Sequence, residues 1–394
     1  MGDRPPLAGI RVLALEQAVA APLCTRHLAD LGADVVKVER PGEGDFARGY
    51  DTAVNGLSSW FVWLNRGKRS LTLDLKQPRG REVVQRLVAR SDVVVQNFAP
   101  GALERLGLGV DQLREQCPRL VACSVTGYGE DGPYRDRKAY DLLLQGETGV
   151  LSVTGTPEQP VKAGVSIVDI AAGMYAFSSI LAALYRRNET GEGAAIRVSL
   201  FDAIMEWMQP LALQAMSDRP PRRAGDRHAS IVPYGPYRVA GDRRVMFAIQ
   251  NEREWARLCA EVLLHPEWTE DPRFVRNELR VTNRDVLEPM IEAALAEVSL
   301  EEAEARLEAA SLAFARANEA RDVFDHPQVL ARGRRLRAGS PAGPVDLLRA
   351  PFNIEGLAEP ERTIPAVGEH TDAILRELGY DTAAITDLHG DGVV

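Results

Sequence analysis

The stretch IRVLALEQAVAAPLCTRHLADLGADVVKVE, from Ile10 to Glu39, decides the fold. It begins with a short apolar run that ends at Leu15 and closes with DVVKVE, and each run predicts a buried strand. The residues between them carry apolar side chains at helical spacing as far as Gly32. A strand, a helix and a second strand in this order predict the repeating unit of a parallel sheet.

The same pattern recurs along the chain. The runs SLTLDL from Ser70, DVVVQNF from Asp92 and LVACSVTGYG from Leu120 predict further strands, and GREVVQRLVARS predicts a helix between the first two. The N-terminal part therefore predicts an α/β domain of Rossmann type. The turn after the first strand reads LEQAVAAPLCT and lacks GxGxxG, so a nicotinamide-dependent enzyme is not expected.

A second, smaller α/β domain is also predicted. The stretch VPYGPYRVAGDRRVMFAIQ is typical of a β-hairpin that turns at Gly241 and Asp242, and helical segments follow it. The predicted parts are a large Rossmann-like domain over 1–210 with a C-terminal return over 335–394, a small α/β domain over 227–327, and linkers over 211–226 and 328–334.

Composition favours an ordinary soluble enzyme. The 394 residues carry a net charge of −9, which disfavours binding of nucleic acid or an anionic membrane surface as the main function. The cysteines form no CxxC pair and the histidines show no metal-ligand spacing, so we expect neither a metal site nor a disulfide framework. The N-terminus shows no signal peptide and no run of 18 apolar residues occurs, so we expect a cytoplasmic protein.

One acid, Asp169, stands at the start of the apolar stretch GVSIVDIAAGMYAFSSILAALYRR, and it has two interpretations. It is either a helix cap or a poorly solvated carboxylate that acts as a nucleophile. In the second case the small residues 171–173 would leave room for an acyl group, and the helix N-terminus would stabilise an oxyanion. The sequence alone does not decide whether Asp169 is a helix cap or a nucleophile.

Charged residues elsewhere are candidates for binding a ligand. The segment RDRKAYDLLLQGETG is either a surface turn that opens a helix or a cationic edge beside a second acid. Basic residues near predicted strand ends suit phosphates, because ligands of open α/β sheets bind outside the carboxyl ends of the strands. These residues are Arg40, Lys68, Arg69 and Arg105, and Asn97 and Phe98 close a strand at the same level.

Taken together, these stretches resemble the family III CoA-transferases, the group that contains formyl-CoA transferase. The stretch NRGKRSLTLDLKQPRGREVVQRLVARSDVVVQNFAPGALERLGLG is the most specific, and TGEGAAIRVSLFDA and the closing GEHTDAILRELGY also match. The resemblance covers nearly the whole chain. It implies a Rossmann-like large domain with a smaller α/β domain, in a homodimer of interlocked rings.

The resemblance also implies the site. Asp169 would be the nucleophile, with Asp141 assisting in orientation, and coenzyme A would enter as an acyl-CoA co-substrate without a metal. Val19 stands where several relatives have glutamine, which puts a polar contact there in doubt. The implied CoA-contacting positions are Ala18, Val19, Ala20, Arg40, Leu64, Lys68, Asn97, Phe98, Arg105 and Lys138.

Short dicarboxylic acids of the mesaconate, itaconate, citramalate, malate or succinate type are the implied acyl groups. Transfer would pass through an aspartyl anhydride and an aspartyl-CoA thioester on Asp169. The glycine-rich loop that covers the site in formyl-CoA transferase is missing, and FAIQNEREW stands in that neighbourhood. A cationic side chain would bind the distal carboxylate of such an acid. The candidate substrate-binding residues are Tyr140, Arg137, His228, Gln250, Asn251 and Arg253.

Two alternatives remain. An α-methylacyl-CoA racemase needs a histidine where this chain has Tyr140, and a tyrosine is a poor base at neutral pH. A non-catalytic CoA-binding protein would not need Asp169 beside the basic residues.

Overall fold

The computed structural model describes residues 4–217, 220–355, 360 and 362–394. Its contacts divide the chain into two compact units. The first unit comprises Met1–Thr148, Gly164–Met208 and Gln328–Val394, and the second comprises Gly149–Ala163 and Gln209–Pro327.

The strands are β1 Arg11–Leu15, β2 Asp34–Glu39, β3 Lys68–Thr72, β4 Val93–Gln96, β5 Val121–Thr126, β6 Ala194–Ser199, β7 Tyr234–Arg238, β8 Arg244–Ala248, β9 Ala313–Arg316, β10 Arg335–Ala338 and β11 Val345–Leu348. The α-helices are α1 Ala20–Asp30, α2 Ser59–Asn65, α3 Pro78–Val88, α4 Val110–Gln116, α5 Asp141–Glu147, α6 Val150–Val153, α7 Ile167–Thr190, α8 Leu200–Ala215, α9 Glu252–Arg257, α10 Asn277–Thr282, α11 Arg284–Leu295, α12 Leu300–Ala309, α13 Pro327–Ala331, α14 Thr371–Glu377 and α15 Thr382–Gly390.

A six-stranded sheet forms the centre of the first unit, in the order β3-β2-β1-β4-β5-β6. All of its neighbouring strands are parallel, as the repeated strand–helix–strand pattern predicts. The strand order reverses between β1 and β4, and ligands of such sheets bind in the crevice outside the carboxyl ends at this switch point. The loops after β1 and β4 are therefore expected to form a ligand-binding site.

Helices α1 and α7 pack side by side on this sheet. Gly173 of α7 faces the backbone of α1 so closely that an added Cβ would lie 2.6 Å from the carbonyl oxygen of Ala20. A glycine is required there because any side chain would push the helices apart. The contact brings the N-terminal turns of both helices to the same region.

Helix α7 is long and apolar enough to cross a membrane by length and composition alone. The sequence did not predict a membrane-span candidate here, because polar residues interrupt the apolar run. Within the first unit α7 contacts α1, β5 and β6, and nine of its residues are buried. Burial against the sheet accounts for its apolar composition.

The second unit contains an antiparallel sheet in the order β7-β8-β9. The predicted hairpin turn is present, and Gly241 and Asp242 both have positive φ, at 71° and 56°. Strand β9 was not predicted, because AFAR is short and exposed along its whole length. Trp255, Leu287 and Leu307 are among the buried residues of this unit's core.

The predicted linkers differ from the structure. Residues 211–226 begin inside α8, because the apolar sequence WMQPLALQA continues the helix to Ala215. Residues 328–334 contain most of α13. Residues 149–163 belong to the second unit, although the sequence analysis placed them within the large domain.

Candidate active site

Asp141 and Asp169 meet at the start of α7. The N-cap residue Ser166 makes no side-chain capping bond. Instead, Oδ1 of Asp141 accepts the backbone N–H of Val168 at 2.8 Å and that of Asp169 at 3.4 Å. Asp141 therefore caps α7 from another helix, because it is the first residue of α5.

The amide of Gln145 fixes the other oxygen of Asp141. Its Nε2 donates to Oδ2 at 2.6 Å, and Gln145 is fully buried. The Asp141 carboxylate is thus held on both of its oxygens. A cap of this kind keeps a negative charge beside the positive end of the α7 dipole.

Asp169 carries an unusual carboxyl group. Burial, followed by the negative charge of Asp141, raises the pKa of Asp169 to about 7. The pKa of an unperturbed aspartate is about 3.9. Poor solvation makes the ionised form more reactive, so the group suits nucleophilic attack at neutral pH.

An apolar cluster supports the residue after the nucleophile. Val19, Leu23 and Leu64 form a buried cluster, and the partly buried residues packed against it are Ile170, Ala18, Trp60 and Trp63. Three of the predicted CoA-contacting residues, Ala18, Val19 and Leu64, thus belong to this cluster or pack against it, as Ile170 of α7 does. Leu64 is fully buried in the structure, so it presents no surface to a ligand.

The loop after β1 is tied to the strand end of β4. The side chain of Asn97 accepts the backbone N–H of Gln17 and donates to the carbonyl oxygen of Gln17, each at 2.8 Å. These two bonds span the switch point of the sheet. Asn97 was predicted to contact CoA, and in the structure its side-chain amide bonds to this loop.

The ammonium of Lys68, which was predicted to lie near phosphates, is bonded inside the protein. Its Nζ donates to Glu16 at 2.6 Å, to the carbonyl oxygen of Pro22 at 3.0 Å and to Asn65 at 3.0 Å. The side chain is fully buried. An ammonium group has three donors, so none remains for a phosphate. Burial lowers the pKa of Lys68 to about 8, although Glu16 opposes the shift.

Three of the other predicted cations are exposed. Arg40 pairs with Glu43 at 3.0 Å on the surface. Arg105 and Lys138 are exposed, and Phe98 is half-buried. Arg105 and Lys138 are accessible to a ligand in solution, whereas the apolar residues Val19 and Ala20 are buried.

Arg137 was predicted to hold a distal carboxylate. Its guanidinium lies over the ring of Tyr134, 3.5 Å from the centroid, and pairs with Glu147 at 4.0 Å. Tyr140 is 63% exposed and precedes Asp141 at the start of α5. Tyr140 therefore has room to contact a substrate.

Tyr50 was missed by the sequence analysis. Partial burial, then the charges of Asp45 and Asp169, raise its pKa to about 12. Its ring meets Trp60 edge to face at 6.3 Å, and Trp60 belongs to the cluster around Ile170. The sequence feature that could have identified Tyr50 is its position as an aromatic residue shortly after the end of β2. Tyr50 is a neutral donor that lies close enough to Asp169 for the charge of Asp169 to raise its pKa.

The remaining predicted residues lie in the second unit. Asn251 caps α9 by accepting the N–H of Glu254 at 3.0 Å, and the backbone N–H of Gln250 donates to Glu254 at 2.7 Å. His228 stacks on Tyr234. Arg253 is exposed on α9. Within the part of the chain that the structure describes, no cluster of histidine, cysteine or acidic side chains could hold a metal ion.

Comparison with known proteins gives consistent matches. The sequence profile of CoA-transferase family III matches residues 7–371. Succinyl-CoA:glutarate CoA-transferase of Mus musculus is 34% identical over 400 residues, which cover 99% of this chain and 90% of the mouse protein. Succinate–glutarate CoA-transferase of Agrobacterium fabrum is 36% identical over 395 residues, 95% of this chain and 96% of that protein. A CaiB/BaiF family protein from Brucella suis superposes with a TM-score of 0.84 at 36% identity, covering 95% of this chain and 100% of that one.

Proposed function

This chain belongs to CoA-transferase family III, and on that premise we propose that it transfers CoA from an acyl-CoA to a short-chain dicarboxylic acid through covalent intermediates on Asp169. The observation that carries the proposal is the carboxyl group of Asp169 at the start of α7, with a pKa raised to about 7.

Each step of the proposed reaction exchanges one acyl bond for another. A carboxylate oxygen of Asp169 attacks the thioester carbonyl carbon, the C–S bond breaks, and CoA leaves as a thiolate with an aspartyl anhydride left behind. The thiolate then attacks the aspartyl carbonyl carbon, which releases the donor acid and forms an aspartyl-CoA thioester. Covalent catalysis of this kind divides one difficult exchange into easier ones.

The acceptor acid completes the cycle. Its carboxylate attacks the aspartyl thioester, so CoA thiolate leaves once more and a second anhydride forms. The thiolate attacks the acceptor's carbonyl carbon, which yields the new acyl-CoA and restores the Asp169 carboxylate. No step consumes ATP or a redox partner, because one thioester replaces another. The site must exclude water, because water would hydrolyse the anhydride.

Neutral donors near Asp169 suit the charge that develops in these steps. Tyr50 keeps its proton at neutral pH, because its pKa is raised to about 12. The backbone N–H groups at the start of α1 lack a side-chain cap. A tetrahedral oxyanion is stabilised by preorganised donors of both kinds.

Dicarboxylic acids are the proposed acyl groups because the mouse and Agrobacterium relatives are named for succinate and glutarate. Glutarate is therefore added to the mesaconate, itaconate, citramalate, malate and succinate that the sequence suggests. Arg137, His228 and Arg253 are proposed to hold the distal carboxylate. A homodimer is proposed from the family resemblance and a cytoplasmic location from the sequence, and light scattering of the purified protein checks the mass of the dimer.

The test uses wild type and Asp169→Asn. Each is incubated with succinyl-CoA and a panel of dicarboxylic acids, with acetate as a monocarboxylate control, and new thioesters are identified by mass spectrometry. Hydroxylamine traps any aspartyl adduct. We expect new thioesters and a trapped adduct only with wild type. Equal rates with acetate and glutarate would contradict the dicarboxylate proposal, and α-proton exchange in D₂O without transfer would favour a racemase.

A further inference from the structure

Ala18 lies in a backbone conformation that alanine rarely adopts. Its φ is 63°, in the left-handed region, and it follows β1 at the switch point of the sheet. A non-glycine residue there carries strain on the order of 1–3 kcal/mol and persists only where the surroundings enforce it. Such strain is concentrated at functional sites. The contacts that enforce it are therefore informative.

Asp45 provides one of these contacts. Its Oδ1 accepts the backbone N–H of Ala18 at 3.2 Å and that of Ala47 at 2.9 Å. Asp45 is 2% exposed, so water does not compete for these bonds. The sequence analysis did not single out Asp45, which lies in the turn after β2.

Asp45 is itself fixed by a buried charge network. Nζ of Lys37 donates to Oδ2 of Asp45 at 2.8 Å, and Glu39 accepts the backbone N–H of Asp45 at 2.9 Å. Burial alone would lower the pKa of Lys37, but the charges of Asp45 and Glu16 outweigh it and raise the pKa. The ammonium therefore stays charged and holds the carboxylate in place.

The two sides of the loop are anchored independently. Asn97 holds Gln17 from the β4 side, and Asp45 holds Ala18 from the β2 side. Ala18 and Ile170, the residue after Asp169, both pack against the buried cluster of Val19, Leu23 and Leu64. The conformation of Ala18 thus sets how the loop after β1 meets the first turn of α7.

We infer that Asp45 is a positioning residue that holds Ala18 in its strained conformation and so shapes the acyl-CoA-binding loop. This rests on the proposed function, because it takes that loop to contact the acyl-CoA. Asp45 does not touch the reacting atoms. Its loss should weaken binding of CoA and leave the chemical step at Asp169 largely intact.

The test is a double-mutant cycle between residues 45 and 18. In Asp45→Asn the amide oxygen turns to the Lys37 ammonium, which leaves an N–H donor facing the N–H of Ala18. We expect the KM for succinyl-CoA and the Kd for CoA to rise about tenfold, equal to about 1.4 kcal/mol, with kcat within about threefold of wild type. In the Ala18→Gly background the same change should raise them only about threefold, because glycine adopts positive φ without enforcement.

Controls separate this role from a loss of folding. Asp381→Asn removes a carboxylate that caps only its own helix, α15, and should leave Kd unchanged. If Asp45→Asn does not fold, Lys37→Met with Asp45→Leu removes the buried pair without leaving a lone charge. An equal rise in Kd with and without Ala18→Gly overturns the inference. Failure of wild type to bind CoA overturns the proposed function instead.

Discussion

The carboxylate of Asp141 accepts the backbone N–H of Asp169 at 3.4 Å, so the two acids are joined through the backbone and not through their side chains. Asp141 acts on the nucleophile in two ways. It caps the helix that carries Asp169, and its charge raises the pKa of the Asp169 carboxyl group. The two effects can be separated by substitution.

Asp141→Asn should shift the pH dependence of transfer to lower pH. The asparagine oxygen still accepts the N–H of Val168, but the charge that raises the pKa of Asp169 is gone. In wild type, kcat/KM should rise with pH through about 7 as Asp169 ionises. The acid limb is measured with the variant and with Asp202→Asn, which alters a carboxylate bonded to Ser199. Coincident limbs in all three proteins would contradict the coupling.

Asp169→Asn should stabilise the protein at pH 8. The pKa of Asp169 is higher folded, at about 7, than unfolded, so the folded state binds the extra proton and ionisation costs stability as pH rises. Asparagine removes this cost. The gain in unfolding temperature should therefore be largest above pH 7 and shrink as pH falls towards 4. A gain that does not vary with pH would show that the carboxyl group has an ordinary pKa.

Gly173→Ala should destabilise the first unit. The new Cβ would lie 2.6 Å from the carbonyl oxygen of Ala20, so α1 and α7 must separate. Overpacking of this kind costs about 1–3 kcal/mol. Denaturant unfolding measures the loss, and Gly164→Ala is the matched control, because an added Cβ there meets nothing within 4 Å. Similar losses for both substitutions would argue against the close approach.

Lys68 and Lys138 should respond differently to replacement by methionine. Lys68→Met breaks a buried ion pair with Glu16, which should cost about 3–5 kcal/mol of folding free energy. Lys138→Met removes an exposed charge and should leave stability unchanged while weakening CoA binding roughly tenfold. Unfolding curves and CoA titrations distinguish the two. If Lys68→Met lost CoA affinity at full stability, its assignment to the core would be wrong.

The parallel sheet was predictable because its strands are short apolar runs that alternate with helical patterns. Asp34–Glu39 has the predicted bounds, whereas β3 begins at Lys68, two residues before the predicted start, because polar side chains at a strand's entry carry no periodicity. Asp169 could be singled out as the one acid in the apolar stretch 164–187. Its partner bonds could not, because Asp141 reaches α7 through space from another helix.

The burial of Lys68 and the anchoring role of Asp45 were also beyond the sequence. A lysine near a strand end is equally compatible with binding a phosphate and with a buried ion pair, and only the tertiary contacts decide between them. Lys68 meets Glu16 from β1's end across 52 positions of chain. Asp45 follows a Gly-rich segment and is equally compatible with an ordinary turn. Its anchoring role becomes visible only from the hydrogen bond that it accepts from Ala18.

The first unit is assembled from three separate parts of the chain, and this affects how it can fold. The carbonyl oxygen of Val393 accepts the backbone N–H of Asp74, and Val393 is buried in one cluster with Leu13 and Val84. Contacts between such distant positions slow folding, since a long loop must close before they form. During synthesis, the core around the N-terminal strands is therefore incomplete until the residues around Val393 have been made. Until then, the exposed apolar strands can aggregate or bind chaperones.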